Sequence, residues 1–567
     1  MFLPTTTAEL HSLGWTTLDI ILLTGDTYID SPFIGTALIG KVLAAAGFRV
    51  GIIAQPAIDS DIDITRMGEP ELFWGVSGGS FDSMVANYTA SGKRRRQDDL
   101  TPGGRNNRRP DRAVIAYTNL IRRYFKQTRP IVLGGIEASL RRIAHYDFWS
   151  NNIRRSVLFD AKGDYLMYGM GENSMVELAC RLQEQKPVED IRGLCYRGKT
   201  PPAEYLELPD YHEVKENRQK FSEMFQLFYR NQDPLSACGF YQRHGDRYLI
   251  HNPPAFYLTQ AELDRVYALD FERRVHPYYQ KQGRVRAMDT IQFSLASHRG
   301  CYGACNFCAI AVHQGQTVRW RSENSIVTEA RQLSRHPDFK GIISDVGGPT
   351  ADMYGFECHK KMTKGICSDK RCLFPKVCDH LPVQHQSQIS LLKKLRQLPG
   401  IKKVFVASGI RYDIVLADQK YGDRYLKELV RHHVSGQLKV APEHSEPEVL
   451  EKMGKPAIDL LLKFKDRFYR LTREAGKKQF LTYYLIAAHP GCTMGHMYKL
   501  QHFISKNLKV RPEQVQIFTP TPSTYSSLMY WTGTDPFTKE ALFVEKNPRA
   551  KEKQKIVLLP APRKKTH

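Results

Sequence analysis

Cys301-Tyr302-Gly303-Ala304-Cys305-Asn306-Phe307-Cys308 sets three cysteines within eight residues. Just upstream, Thr290 to Ala296 reads as a strand, so the cysteine loop leaves that strand's carboxyl end. A closed structural zinc site takes four ligands, and this loop offers three. A [4Fe–4S] cluster is ordinarily held by four thiolates, so three cysteines leave one iron without a protein ligand. An open iron at a strand carboxyl end is a place for a substrate or cofactor to coordinate. The CX3CX2C spacing wraps one short loop around a cuboidal cluster, and Gly303 allows the tight backbone there.

Downstream, strand-like runs alternate with helical ones. Gly341 to Val346, Lys402 to Ala407, Gln437 to Val440, Gln479 to Ile486 and Gln514 to Phe518 read as strands. Between them Glu323 to Arg335, Gln388 to Leu398, Asp423 to Val434, Pro456 to Arg473 and His496 to Asn507 read as helices. Leu461, Phe464, Phe468 and Leu471 put one apolar face on the fourth. Six βα units without a GxGxxG turn predict a partial (β/α)6 barrel over residues 286–525, with its site at the strand carboxyl ends.

Upstream, residues 1–204 repeat the alternation. Leu18 to Thr24, Val50 to Ala54, Glu71 to Val76, Pro130 to Leu133 and Tyr165 to Tyr168 predict an open parallel sheet of Rossmann-like type. Ligands of such sheets bind at the strand carboxyl ends. Gly25-Asp26-Thr27, Ser77-Gly78-Gly79-Ser80 and Gly134-Gly135-Ile136-Glu137 lie there, as tight turns or as a ligand site; none is a dinucleotide fingerprint. A basic loop, Lys93-Arg94-Arg95-Arg96 through Arg105, Arg108, Arg109 and Arg112, interrupts this domain as a solvated insertion or a phosphate-contacting loop. Residues 205–285 read as a helical or irregular bridge. Residues 526–567 read as a basic tail, mobile at its Arg563-Lys564-Lys565 end.

At 567 residues the chain is too long for one core. A hydrophobic fraction of 42% and a charged fraction of 25% are those of a soluble globular protein and exclude general disorder. The longest apolar runs, Leu18 to Thr24 and Leu481 to Ala488, fall far short of the ~20 residues that span a bilayer, so no membrane partner is expected. Met1 to His11 reads as no secretory signal, and the expected location is cytoplasmic. The net charge of +23 fits a polyanionic partner such as nucleic acid or a phosphorylated molecule, or merely a solvated basic surface.

Eleven cysteines without a secretory signal argue against a disulfide framework. Cys180, Cys195, Cys238 and Cys492 are scattered and read as small buried hydrophobes. Cys358, Cys367, Cys372 and Cys378 fall within 21 residues of an insertion over 352–387, with His359 and His380 beside them. Their spacing matches neither a zinc finger nor a ferredoxin pattern. A second Fe–S cluster, a zinc ion, a disulfide pair and free thiols all remain open.

The CX3CX2C loop with aromatic Phe307 resembles the signature of the radical S-adenosylmethionine (SAM) superfamily. Ser297-His298-Arg299-Gly300 before it and Ala309 to Gln316 after it are similar to the YgiQ-type family of radical SAM proteins. So are Asp345 to Ala351, Gly409 to Asp413, Val440 to His444 and Phe518 to Pro522. The resemblance spans the chain, which stops soon after the barrel where many relatives extend further. It implies that Cys301, Cys305 and Cys308 hold a [4Fe–4S] cluster whose open iron takes the SAM amino and carboxylate groups. It implies that Gly347, Gly348, Pro349 and Thr350 shape the methionine end, proline standing where the superfamily often has an acidic residue. Ser408 and Arg411 fall at the level of the SAM carboxylate or ribose, and Ala441, Glu443 and His444 near adenine and substrate.

The implied chemistry is reductive cleavage of SAM to a 5′-deoxyadenosyl radical, with a flavodoxin- or ferredoxin-like one-electron donor. The substrate is open, RNA included. The N-terminal sheet also resembles cobalamin-binding domains but carries no DxHxxG segment. The competing class is a basic, metal-stapled nucleic-acid-binding protein without catalysis.

Overall fold

The computed structural model describes residues 1–559. In the N-terminal part, strands β1 (Ile20–Thr24), β2 (Val50–Ala54), β3 (Phe73–Ser77), β4 (Ile131–Gly134) and β5 (Tyr165–Met167) pair in parallel. Their spatial order is β2-β1-β3-β4-β5. β1 and β2 are buried along their whole length, which is why they read as unbroken apolar runs rather than alternating ones.

The sheet does not stop at residue 204. β6 (Leu194–Gly198), β7 (Leu206–Leu208), β8 (Phe240–His244) and β9 (Arg247–His251) extend it to nine strands in the order β7-β8-β9-β6-β5-β4-β3-β1-β2. β6 joins β5 antiparallel, and β8 and β9 form an antiparallel hairpin beside it. The expected helical bridge therefore supplies three strands of the same sheet. It also holds helices, among them Arg218–Arg230, whose Phe221, Met224, Phe225 and Phe228 enter the N-terminal core.

The C-terminal part is the expected partial barrel. Its strands are β10 (Ser294–Ala296), β11 (Ile342–Ile343), β12 (Asp345–Gly347), β13 (Lys403–Val404), β14 (Gln437–Glu443), β15 (Phe480–Ala487) and β16 (Gln514–Ile517). β11 and β12 together occupy the place of one barrel strand. β10 pairs with β12, β11 with β13, β14 with β15 and β15 with β16, all parallel, and Ile410 bridges to Val440. Helix Asp459–Glu474 buries Leu461, Phe464, Phe468 and Leu471 against them, the face its spacing predicts.

The expected basic tail is packed as far as it is described. Helix Tyr525–Thr532 places Leu528, Met529 and Tyr530 in the N-terminal core. Helix Pro548–Ile556 buries Lys551 and Gln554. The Lys551 ammonium donates to Tyr530 Oη at 2.8 Å and stands over the Phe148 ring at 5.0 Å, so aromatic faces replace water around it. Arg563, Lys564 and Lys565 lie outside the described residues.

Candidate metal centre

After β10 the chain runs through Ser297 to Gly300 into the cysteine loop. Arg299 ties this approach to the N-terminal domain. Its guanidinium pairs with buried Glu172 and donates to Tyr267 Oη at 3.2 Å. Beyond the loop, His313 Nδ1 meets Ser139 Oγ at 3.1 Å, a second link to the same domain. Asn306 closes a third side: its N–H donates to Met453 O at 2.9 Å and its amide to Lys452 O at 2.8 Å. The loop that carries the thiols is thus gripped from both halves of the molecule.

Within it, the Gly303 N–H donates to Cys301 Sγ at 3.3 Å, and Arg411 Nη1 stands 3.7 Å from Cys305 Sγ. A Cβ on Gly303 would meet Arg411 Nη1 at 3.1 Å, Cys301 Sγ at 3.2 Å and Cys305 Sγ at 3.6 Å. Glycine therefore leaves the space into which sulfur and guanidinium converge. Burial, then neighbouring Cys305 and Cys301, push the Cys308 thiol up to about 12; burial and Cys305 also raise Cys301. Without a cation Cys301 and Cys308 stay protonated at neutral pH. An iron cluster supplies the positive charge that makes three crowded thiolates affordable, so the donor set fits one.

The expected SAM turn follows β12, which is hydrogen-bonded to β10. A side chain at Gly348 would meet the His298 ring at 2.6 to 2.8 Å, so the turn lies flat on that imidazole. His298 Nε2 bonds Thr350 O at 2.9 Å, and burial holds the ring near pKa 4, hence neutral. Ser297 N–H donates to Gly347 O at 2.7 Å, and Pro349 is half-buried in the same turn. The turn is therefore bonded to the residues that lead into the cysteine loop.

Ser408 stands beside this turn, its Oγ 3.2 Å from where a Cβ on Gly347 would lie. Its hydroxyl donates to Asp345 Oδ2 and its N–H to Asp345 Oδ1 at 3.0 Å, so it positions Asp345. Arg411 pairs with Asp413, Nε to Oδ1 at 2.9 Å, and turns its remaining nitrogen toward Cys305. Glu443 is buried, 3.9 Å from Lys455 Nζ; burial raises its pKa against the pull of Lys455 and Arg411. Phe307 packs between the two main cores, its ring 6.3 Å edge-on from His489.

Sequence reading missed Asp352. It is fully buried, accepts the Arg411 N–H at 3.0 and 3.1 Å, and burial lifts it to about 7. It follows directly on the quoted Asp345 to Ala351 segment, yet a lone aspartate carries no signal of burial. A cavity of about 70 Å³ is lined by residues 311–315, Tyr168 and Pro254 to Leu258 rather than by the three cysteines.

In the insertion, Cys358, Cys372 and Cys378 gather with Phe356 around Tyr302 of the cysteine loop, and Cys367 is outside this packed group. Among the described residues no three His, Cys, Asp or Glu side chains converge on a single-ion point. As placed, the four insertion cysteines do not close around a single point. All eleven cysteines are free of disulfides.

A three-thiol loop at the head of the first strand of a partial parallel barrel, behind an α/β domain, defines a radical SAM protein. The family model described as Radical SAM N-terminal matches residues 2–294. A UPF0313 protein of Fusobacterium nucleatum is 56% identical over 558 residues, covering 98% of each chain. One of Methanocella arvoryzae is 45% identical over 555 residues, covering 97% of this chain and 91% of the relative. The chain belongs to the UPF0313 family. Among solved structures, the cobalamin-dependent S-adenosylmethionine radical enzyme OxsB with aqua-cobalamin bound superposes with a TM-score of 0.50 at 13% identity, over 92% of this chain and 56% of that one. At that identity the likeness is one of fold.

Proposed function

We propose that the chain is an enzyme that binds a [4Fe–4S] cluster on Cys301, Cys305 and Cys308 and cleaves SAM reductively to act on a substrate by hydrogen abstraction. The observation that carries this reading is the half-buried three-thiol loop whose approach, Ser297 and His298, is hydrogen-bonded to the Gly347 to Thr350 turn. Bound there, the cluster and SAM supply the one-electron chemistry. The chain's own residues bind and orient. The Gly347 to Thr350 turn would hold the methionine end of SAM, with Gly347 O already accepting the Ser297 N–H at 2.7 Å and His298 fixing the turn from beneath. Arg411 neutralises sulfur charge at Cys305 and is held by Asp413 and Asp352. Glu443, at the end of β14 and 3.9 Å from Lys455 Nζ, would serve the adenine or substrate side.

Further parts of the reading follow from charge and cysteine placement. The net charge of +23 favours an RNA or phosphorylated substrate and an acidic flavodoxin- or ferredoxin-like donor. The Cys358, Cys367, Cys372 and Cys378 group is read as a second ligand set, for iron–sulfur or zinc, which must draw Cys367 inward to close. A cytoplasmic location fits free thiols; no helix of the described residues is long and apolar enough to cross a membrane. The test is anaerobic reconstitution followed by dithionite and SAM. Slow release of 5′-deoxyadenosine, with or without cell extract and total RNA, is expected. Its absence from fully loaded, SAM-binding protein under every substrate pool would favour the binding-protein reading.

A further inference from the structure

The order β2-β1-β3-β4-β5 reverses its direction of winding between β1 and β3. In open sheets of this order, the ligand crevice opens at the carboxyl ends of those two strands. In the structural relative of like fold, the bound ligand is aqua-cobalamin. Here that crevice is closed by the chain itself.

The turns after β1 and β3 touch. Gly25 N–H donates to Ser77 O at 3.2 Å, and a Cβ on Gly25 would stand 2.2 Å from Gly78 O. From the end of β2, Gln55 Nε2 donates to Gly25 O at 2.9 Å and to Thr101 Oγ1 at 2.6 Å. The basic loop then folds over this junction. Arg109, 1% exposed, sets Nη2 on Asp26 Oδ1 at 2.6 Å and Nη1 on Asp98 Oδ2 at 3.0 Å. Ser80 N–H donates to Asp26 Oδ2 at 2.6 Å, and Thr27 N–H to Leu100 O at 3.0 Å. At the end of β4, buried Glu137 accepts the Ser83 N–H at 2.8 Å and the Val114 N–H at 3.2 Å. Thr27 Oγ1, Gln55 Oε1 and Ser80 Oγ are buried here without partners, as residual polarity of a covered crevice.

We infer that residues 88–112 are an internal plug, with Arg109 occupying the place of a ligand, so that the N-terminal domain takes no cobalamin and serves as a rigid support for the cysteine loop. Arg109 cannot leave cheaply, because Asp26 and Asp98 would remain buried without a cation. The basic run thereby acquires a structural role at Arg109, while Arg94, Arg95 and Arg96 stay exposed. The inference does not depend on the cluster.

The test is equilibrium dialysis of the full-length protein against hydroxocobalamin, read by absorbance and cobalt content, together with amide exchange. No retained cobalt is expected, and the Thr27 and Ser80 amides should exchange as slowly as that of Leu22. Arg109→Met should lower the melting temperature sharply, and Arg109→Lys less so, since it restores one charge. Stoichiometric cobalamin binding by the unaltered chain would overturn the inference, and so would fast exchange at Thr27 and Ser80. An unchanged melting temperature in both variants would overturn the part given to Arg109.

Discussion

Both halves of this molecule point the carboxyl ends of parallel strands at charged residues, and they treat those charges in opposite ways. In the N-terminal sheet, Arg109 lies between Asp26 and Asp98, and each carboxylate takes further donors. In the barrel, like groups crowd instead. Three thiols share one loop, Cys308 is pushed up to about 12 and Asp352 to about 7. A buried charge that is paired at home belongs to the fold; three thiols converging within one loop mark a place awaiting a partner, where a lone buried thiol does not.

The sharpest break in this comparison comes from single cysteine changes. Cys301→Ala, Cys305→Ala and Cys308→Ala should each abolish 5′-deoxyadenosine formation, followed by chromatography, whereas Cys492→Ala should leave it intact. Cys492 is buried, with its thiol raised to about 12 by burial, and behaves as packing. Next in size is Arg109→Met, which should cost about 3–5 kcal/mol in urea unfolding while leaving the iron content of the folded protein unchanged. A loss under about 1 kcal/mol, the range of an exposed pair, would erase the contrast between the two halves.

Gly348→Val should weaken SAM binding by roughly ten- to a hundredfold, the equivalent of about 1–3 kcal/mol of overpacking against His298. Calorimetry measures the affinity and iron analysis the cluster; loss of both together would make the turn structural only. A smaller effect concerns pH. Burial first, with neighbouring arginines, lowers His145 to about 4 and His244 to about 3, and burial lowers His489 to about 4. The unfolded chain binds these protons near pH 6.5, so between that value and the folded pKa it holds more protons than the native state. Stability should be full above about pH 6.5 and fall as pH drops toward 4. Denaturant midpoints across that range check it, and His145→Asn should flatten the slope if it still folds. Last, protein lacking Cys301, Cys305 and Cys308 should retain some iron or zinc on the insertion cysteines; four freely titrating thiols and no metal would remove the second site.

Much of the fold could be read from residue patterns where burial is apolar. Ile20 to Thr24 and the face of Leu461, Phe464, Phe468 and Leu471 are of that kind. The pattern fails where polar side chains are buried. Gln242, His244 and His251 are buried in β8 and β9, so the hairpin reads as polar connection rather than as sheet. Lys551 fails in the same way: an aromatic surrounding makes a lysine a core residue, and the helix that bears it reads as tail. At the site, thiol spacing announces itself because few other arrangements place three cysteines in eight residues. Asp345, Asp352 and Asp413 do not, since their meaning lies in which serine or arginine they hold.

The central claim is that these three thiols hold a cluster with one iron open to SAM. Electron paramagnetic resonance of anaerobically reconstituted, dithionite-reduced protein, recorded with and without SAM, tests it most directly. The account predicts a reduced [4Fe–4S] signal that changes shape when SAM is added and that is missing from the protein lacking Cys301, Cys305 and Cys308. A signal indifferent to SAM, or one that survives loss of all three cysteines, would contradict it.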